Sequence, residues 1–573
     1  MFRTIKFFCL ITGIVLVSAT SVFSQQIDSE RATRDLVTQT DLLKQNEDRF
    51  LKTSQEPVIE EEEKEEKPKK DEGPVFLVKK IVIEGSTLIP EQEVHALAQP
   101  FEDKKNSFGD LERLADLVTA YYRHYGYTTT KAYIPPQKVK DGIVTIQVME
   151  GRVGKVDVEG NRWFKKKVYL GGIALAAGDF FEMSELEGAL RSINLEPDRA
   201  VKAYLEPGEE TGTTNITLKA KDKFPVHLSY EFNLRGTKLT HRARHMAHLT
   251  HNNLLGFGDS LQANFTLAEQ GAIVGSAAYY EFPILRTGTI FSLAASVAQS
   301  RLQKSLREFD VQGKSWSVIP GVTQNFIRTD RFYLDGALRF EVKDSRTLIS
   351  DQQLSFDRSR AVVIGPRAGY YDKWGQTFGA ADLHVGIPHF MGGSSKYDGA
   401  ASRLDSGGQF VYGTANVARL QRLPYQSILV MQASGQYSPS PLNSLEQMNM
   451  GGMFSIRGYP ENDSSGDSGY SFSTELRVPP YFIPHSWNVP GMKNKKMRDA
   501  FSLVGFIEGG QVFNYKRQNA GSETTKTLAG TGFGARFYVS PDFNIQFDYG
   551  IPLGDPSSDK NRNQIHLSAR VGF

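Results

Sequence analysis

The sequence predicts two small α+β modules followed by an antiparallel transmembrane β-barrel. Three observations carry that prediction. A secretory leader opens the chain, a β-α-α-β-β order occurs twice between residues 74 and 222, and short alternating strands then run to the last residue. Composition taken alone argues otherwise, because 23% of the 573 residues are charged and the mean hydropathy is −0.36. No apolar run approaches the ~20 residues that a membrane-crossing helix needs. A β-strand crosses in ~9–11 residues, however, and only alternate side chains meet lipid, so a barrel averages out as polar.

The leader is read from Arg3 and Lys6, the apolar stretch Phe7–Val17 and the small residues down to Ser24. It predicts a signal peptide over 1–24, cut before Gln25. The apolar stretch is too short for an anchor helix. Cys9, the only cysteine, lies inside it, too early and too deep for a lipid-acceptor site. The processed chain is therefore expected to be stable without disulfides. Loss of Arg3 and Lys6 balances the basic residues against the 65 acids, so no global basic field points to nucleic acid.

Residues 25–56 are polar, carry Leu36, Leu42, Leu43 and Leu51, and are compatible with a helix. Residues 57–73 contain the charge-dense run from Glu60 to Glu72, which cannot bury a core. It reads as a solvated linker rather than an acidic binding tail.

The first module, 74–151, has a strand over Val75–Glu84 and helical stretches at 90–98 and 108–125. A strand near 127–134, the break Pro135-Pro136-Gln137 and a strand at 142–150 follow. The second module, 152–222, repeats the order with Val153–Glu159, helical segments at 165–175 and 183–194, and strands at 199–206 and 213–221. From 223 to 573 the texture is all-β. Leu228, Tyr230 and Phe232 alternate with Ser229, Glu231 and Asn233, and Leu261, Ala263, Phe265 and Leu267 alternate with polar neighbours. The end of the chain alternates too, through Ile565, Leu567, Ala569, Val571 and Phe573. Allowing ~10 residues per span, and roughly 22 for strand plus loop, this length accommodates 16 strands.

Particular residues carry a resemblance to a known family. In the first module they are Tyr122, Gly126-Tyr127, Tyr133, Pro136-Gln137, Gly142 and Glu150-Gly151. At the start of the barrel they are Asn253, Gly256, Gly258-Asp259 and Tyr280 with Pro283. Later come Glu446-Gln447, Gly451-Gly452, Arg457-Gly458-Tyr459, Gly466-Asp467 and Glu475-Leu476. With these the chain resembles the two-partner secretion transporters of Gram-negative bacteria, which belong to the POTRA-bearing transporters and insertases of outer membranes. The resemblance implies two periplasmic POTRA domains, a 16-stranded outer-membrane barrel and a long loop that folds back into the lumen with Arg457, Gly458 and Tyr459 at its tip. A buried guanidinium needs a carboxylate of matching geometry. The resemblance points to Glu508, where the family more usually has aspartate, with Asp548 as a second candidate. Residues 25–56 would then be a helix that plugs the resting pore.

The implied activity is passage of an unfolded exoprotein, caught at POTRA sheet edges, to the cell surface without nucleotide hydrolysis. The expected partners are that exoprotein, outer-membrane lipid and the barrel assembly machinery; no cofactor, metal or nucleic acid is expected. Other readings are a barrel-assembly insertase, whose relatives carry more POTRA domains, and a passive porin, which would not need the modules. A hydrolase is a further class, since a Ser–His–Asp set is recognised by geometry. The sequence carries no Walker loop, His-Glu-x-x-His or Gly-x-Ser-x-Gly. His241, His245, His248 and His251 cluster in the first hairpin, but on a strand His248 faces away from the odd-numbered ones. They read as pore-lining or loop histidines rather than a metal site.

Overall fold

The computed structural model describes residues 59–61 and 75–573, apart from 195, 285–286, 330, 493–494, 516–523, 541–542, 556 and 558–562. The expected leader, the helical segment 25–56 and most of the linker lie outside the described residues. The chain divides into two compact units, one holding Lys52–Phe224 and the other Pro225–Phe573.

In the first unit, β1 (Ile59–Glu61) precedes a module made of β2 (Phe76–Val78), β3 (Lys80–Glu84), α1 (Glu91–Ala98), β4 (Lys104–Asn106), α2 (Phe108–His124), β5 (Lys131–Tyr133) and β6 (Ile143–Met149). The strand expected over Val75–Glu84 is two strands, because its halves take different partners: β2 pairs with β4, and β3 runs parallel to β6. The strand expected near 127–134 is confined to β5, ahead of the two prolines. α2 begins where Ser107 and Asp110 cap each other's backbone N–H groups. Those bonds from Ser107 hold the Asp110 carboxyl at about 2. Leu111, Leu114, Ala115, Val118 and Tyr122 then form one buried stripe against the sheet.

The second module runs β7 (Arg152–Glu159), α3 (Lys166–Leu170), α4 (Met183–Asn194), β8 (Arg199–Pro207) and β9 (Thr213–Asp222). The helix expected over 165–175 stops at Leu170, where Gly171-Gly172 follow. Strand order β7-β9-β8 repeats β3-β6-β5, parallel and antiparallel pairs included, and β1 adds outside β8.

The second unit is a closed barrel of sixteen antiparallel strands. They are β10 (Val226–Asn233), β11 (Arg244–His251), β12 (Ser260–Ala268), β13 (Ile273–Ile284), β14 (Thr289–Arg301), β15 (Val311–Arg328), β16 (Phe332–Ile349), β17 (Gln352–Asp372), β18 (Gly375–Gly386), β19 (Val411–Arg422) and β20 (Ile428–Tyr437). After β21 (Met448–Met450) and β22 (Ser464–Gly466), which pair within one loop, come β23 (Ser468–Val478), β24 (Phe501–Phe513), β25 (Thr525–Ser540), β26 (Phe543–Pro552) and β27 (Gln564–Gly572). β27 closes on β10, from Ser229 opposite Gly572 to Asn233 opposite Ser568. Closure leaves no sheet edge, the condition for strands to cross lipid. No described helix is long and apolar enough to cross a membrane.

The alternation sorts the side chains. Leu338, Ile507, Phe533 and Phe547 are exposed outward, while their neighbours Arg339, Glu508 and Asp548 are buried inward. Up-and-down topology puts the C-terminal ends of β13, β15, β17 and β19, with the turns 373–374 and 423–427, at one end. Rings gather there, with Phe282 and Phe291 stacked at 5.4 Å and Phe326, Tyr370, Trp374 and Tyr425 exposed, as at a membrane interface. Loops 387–410 and 438–467 leave the other end.

The first-hairpin histidines diverge. His241 lies in the turn at φ 58°, and His248 faces inward, 3.5 Å from Glu231. His245 corrects the expectation of a pore-lining or loop residue. It lies on β11 facing outward, its Nδ1 2.6 Å from the exposed Tyr230 hydroxyl. His251 shares the parity of His245 on β11, so it too departs from that expectation, and its Nδ1 accepts from Asn253 N at 3.2 Å; with His248 on the opposite face and His241 in the turn, the four converge on no common ligand.

Candidate functional site

The loop 438–467 turns into the barrel and is held at both ends and at its tip. At the tip Arg457 is 3% exposed and meets three carboxylates. Its Nε donates to Glu508 Oε1 at 2.8 Å, its Nη2 stands 2.7 Å from the same oxygen, and its backbone N–H donates to Glu508 Oε2 at 2.6 Å. Nη1 donates to Glu475 Oε2 at 2.5 Å and reaches Asp548 Oδ1 at 3.3 Å. The guanidinium also lies over the Phe506 ring, 3.5 Å from its centroid.

These partners come from β23, β24 and β26, each at an inward-facing strand position. Arg536 of β25 joins Asp548 at 2.8 Å and Glu475 at 3.0 Å, and Arg477 joins Glu475 at 2.7 Å. Three guanidiniums thus face three carboxylates, and each charge has a partner. His566 Nε2 lies 2.8 Å from the Arg457 carbonyl. That oxygen only accepts, so the imidazole donates from Nε2.

Both sequence candidates, Glu508 and Asp548, are brought to Arg457. The longer Glu508 side chain reaches the guanidinium with one oxygen and the backbone N–H with the other. Glu475, Arg477, Arg536 and His566 had not been singled out as partners. The signal for them was a charged residue at inward parity: Glu475 stands between the outward Phe472 and Leu476.

Gly458 and Tyr459 have distinct tasks. A Cβ on Gly458 would lie 2.7 Å from Pro552 N and 2.8 Å from Pro552 Cα, so only glycine allows the tip backbone this close to β26. Tyr459 is fully buried beside Ile456, Met450, Val512 and Leu528, and its hydroxyl accepts from Gly554 N at 3.1 Å.

At the loop's start, Glu446 accepts from Ser359 at 2.6 Å and Tyr412 at 2.7 Å and pairs with Lys343 Nζ at 2.8 Å. Glu341, His384 and Glu446 bring donor atoms within 4.8 Å of one another, as a metal site would. Lys343 also stands 2.8 Å from Glu341, so an ammonium already supplies the cation. At the loop's end, Asp467 pairs with Arg403 and accepts from Leu442 N at 2.9 Å and Tyr515 N at 2.8 Å. Lys343 is on the seventh barrel strand and Asp548 on the fifteenth of sixteen. Eight strands apart, they are on opposite walls, so the loop crosses the lumen.

The other motif residues hold local structure. Tyr122 donates to Glu150 Oε1 at 3.0 Å, and the same oxygen caps Thr87 N at 2.6 Å and Leu88 N at 2.7 Å. Burial pushes the Tyr122 hydroxyl up to about 12. Gln137 donates to Thr145 O and accepts from Thr145 N. Asp259 accepts from Leu255 N at 2.9 Å and from the Tyr280 hydroxyl at 3.1 Å, closing the turn after β11.

Comparison with known proteins agrees with this architecture. Residues 212–537 match the family of the haemolysin secretion/activation protein ShlB/FhaC/HecB, and residues 76–151 match the ShlB-type POTRA domain. The chain is 25% identical over 510 residues to the heme/hemopexin transporter protein HuxB of Haemophilus influenzae, covering 87% of each. It is 26% identical over 416 residues to the hemolysin transporter protein ShlB of Serratia marcescens, covering 69% of this chain and 71% of the relative. The solved structure of CdiB from Escherichia coli superposes with a TM-score of 0.70 at 20% identity, covering 93% of this chain and 97% of that one. With the family match extending over more than half of its length, this chain belongs to the ShlB/FhaC/HecB family of two-partner secretion transporters.

Proposed function

We propose that this protein is an outer-membrane pore that carries a large unfolded exoprotein from the periplasm to the cell surface. The observation that carries the reading is the barrel interior: a polar lumen crossed by one loop attached largely through ionic contacts to opposite walls. Such a loop can be released and recaptured without breaking the strand ladder that forms the wall. We assign 74–151 and 152–222 to periplasmic POTRA domains, 223–573 to the barrel and 25–56 to a helix that plugs it at rest. The POTRA sheet edges would take the exoprotein as an added strand, so backbone pairing gives affinity with little demand on sequence. Arg457-Gly458-Tyr459 would be the catch that holds the loop across the lumen. Outward apolar residues would face outer-membrane lipid, and the barrel assembly machinery would insert the barrel.

The test is deletion of the gene, with the culture supernatant and the outer-membrane proteome compared to the parent. Loss of one large secreted protein is expected. A general fall in barrel proteins would instead make the chain an insertase, and an unchanged secretome would contradict the transport reading.

A further inference from the structure

On the outward face of the barrel, small side chains stand side by side over three strands. Ala263, Ala278 and Ala295 are directly opposite one another on β12, β13 and β14. Larger side chains flank that row, Tyr280 and Leu293 toward the ring-bearing end and Phe265 and Val297 toward the other. The row is therefore a furrow in the apolar face. Past Ser276, Val297 and Trp316 it opens into a second hollow, lined by Gln299, Lys314 and Arg346.

Lys314 and Arg346 are directly opposite each other on β15 and β16, with Gln299 of β14 at the same level. Like charges placed this way repel. Asp344, two residues from Arg346 on the same face, is held by Arg360 at 2.8 Å. Among the described residues neither Lys314 nor Arg346 has a carboxylate partner, and Arg346 rests on the Phe356 ring, 4.4 Å from its centroid. A single lysine here would need no explanation, because its ammonium can reach water along an apolar stem. Two opposed cations at the head of an apolar furrow instead match an anionic group carried on an acyl chain.

We propose that this furrow binds a phosphorylated acyl lipid of the outer leaflet, with one chain over Ala263, Ala278 and Ala295 and a phosphate between Lys314 and Arg346. The proposal rests on the transport reading above for its orientation. The modules precede β10, and β10 starts at the ring-bearing end, so periplasmic modules put Lys314 and Arg346 at the outer leaflet. Arg346 would offer a planar fork to the phosphate and Lys314 a mobile point charge. Gln299 adds an amide at the same level. Along the furrow the chain would gain contacts with methyl groups and backbone that a stiff, bulky neighbour could not reach. The bound lipid would neutralise the charge pair and brace β12 to β16 from the lipid side.

The test uses the full-length chain in detergent micelles, with native mass spectrometry reading the lipid retained. The probes are an acylated glucosamine disaccharide bisphosphate and its dephosphorylated form. The native chain is expected to retain the phosphorylated probe, and Lys314→Gln with Arg346→Gln to weaken retention about ten-fold or more. Ala278→Phe with Ala295→Phe fills the furrow, leaves both cations in place and is expected to weaken retention as far. Gel migration of the unheated chain verifies that each variant forms its barrel. Equal retention by the native chain and either double variant overturns the proposal, as does equal retention of the two probes. Inorganic phosphate at the probe's concentration is expected to displace nothing; displacement would make this a site for free anions and overturn the lipid assignment. The binding assay reads the furrow alone, whereas failure of the transport reading appears separately, as an unchanged secretome after gene deletion.

Discussion

A guanidinium with almost no access to solvent persists only where its charge is matched, and Arg457 is matched three times. Removing it leaves Glu508, Glu475 and Asp548 facing two guanidiniums in place of three, a change of the kind that costs ~3–5 kcal/mol at buried ion pairs. Arg457→Ala is therefore expected to abolish secretion while the barrel still inserts, with loop 438–467 newly open to added protease. Unchanged secretion would sink the lumen-catch argument. Glu508 separates geometry from charge. Glu508→Asp keeps the charge on a stem one methylene shorter, and secretion is expected to persist at a reduced level. Glu508→Gln keeps the length, removes the charge and is expected to behave like Arg457→Ala; a secretion assay ranks the three.

Among the elements, α2 shows how far local chemistry reaches. Its start is held by the Ser107–Asp110 capping box, and Ser107→Ala is expected to cost about 1 kcal/mol, read as faster hydrogen exchange along 108–124. The Asp110 carboxyl lies at about 2 against an ordinary 3.8. Its contribution is thus complete above about pH 4 and falls away as pH drops toward 2, so protection of α2 should decline over that window. Asp110→Asn should flatten the decline. Signals of this kind made the elements legible in the sequence: the apolar stripe of α2 and the alternation through β10 and β12. What could not be read there depends on partners distant in the chain. Nothing within Val75–Glu84 says that its halves pair with β4 and β6, and nothing in the linker says that Ile59 seats on β8. Arg457 and Glu508 were legible as a pair, but Glu475, Arg536 and His566 meet it only once closure of the barrel brings β23, β25 and β27 around the loop tip.

For the whole molecule, the alternation that makes the sequence look polar also divides the barrel into a lipid face and a lumen. Neighbouring residues on one strand report on the two sides: Asn416 points into the lumen, and Val417, 49% exposed, points out. The central claim is that a polypeptide passes along the inner face once the loop yields. It is tested most directly by placing a photoreactive side chain at position 416 or 417 and stalling the exoprotein during export with a folded C-terminal fusion. A cross-link to the exoprotein from position 416 and none from 417 is the predicted result. Absence of a cross-link from 416, or equal cross-linking from both positions, would contradict passage through the lumen.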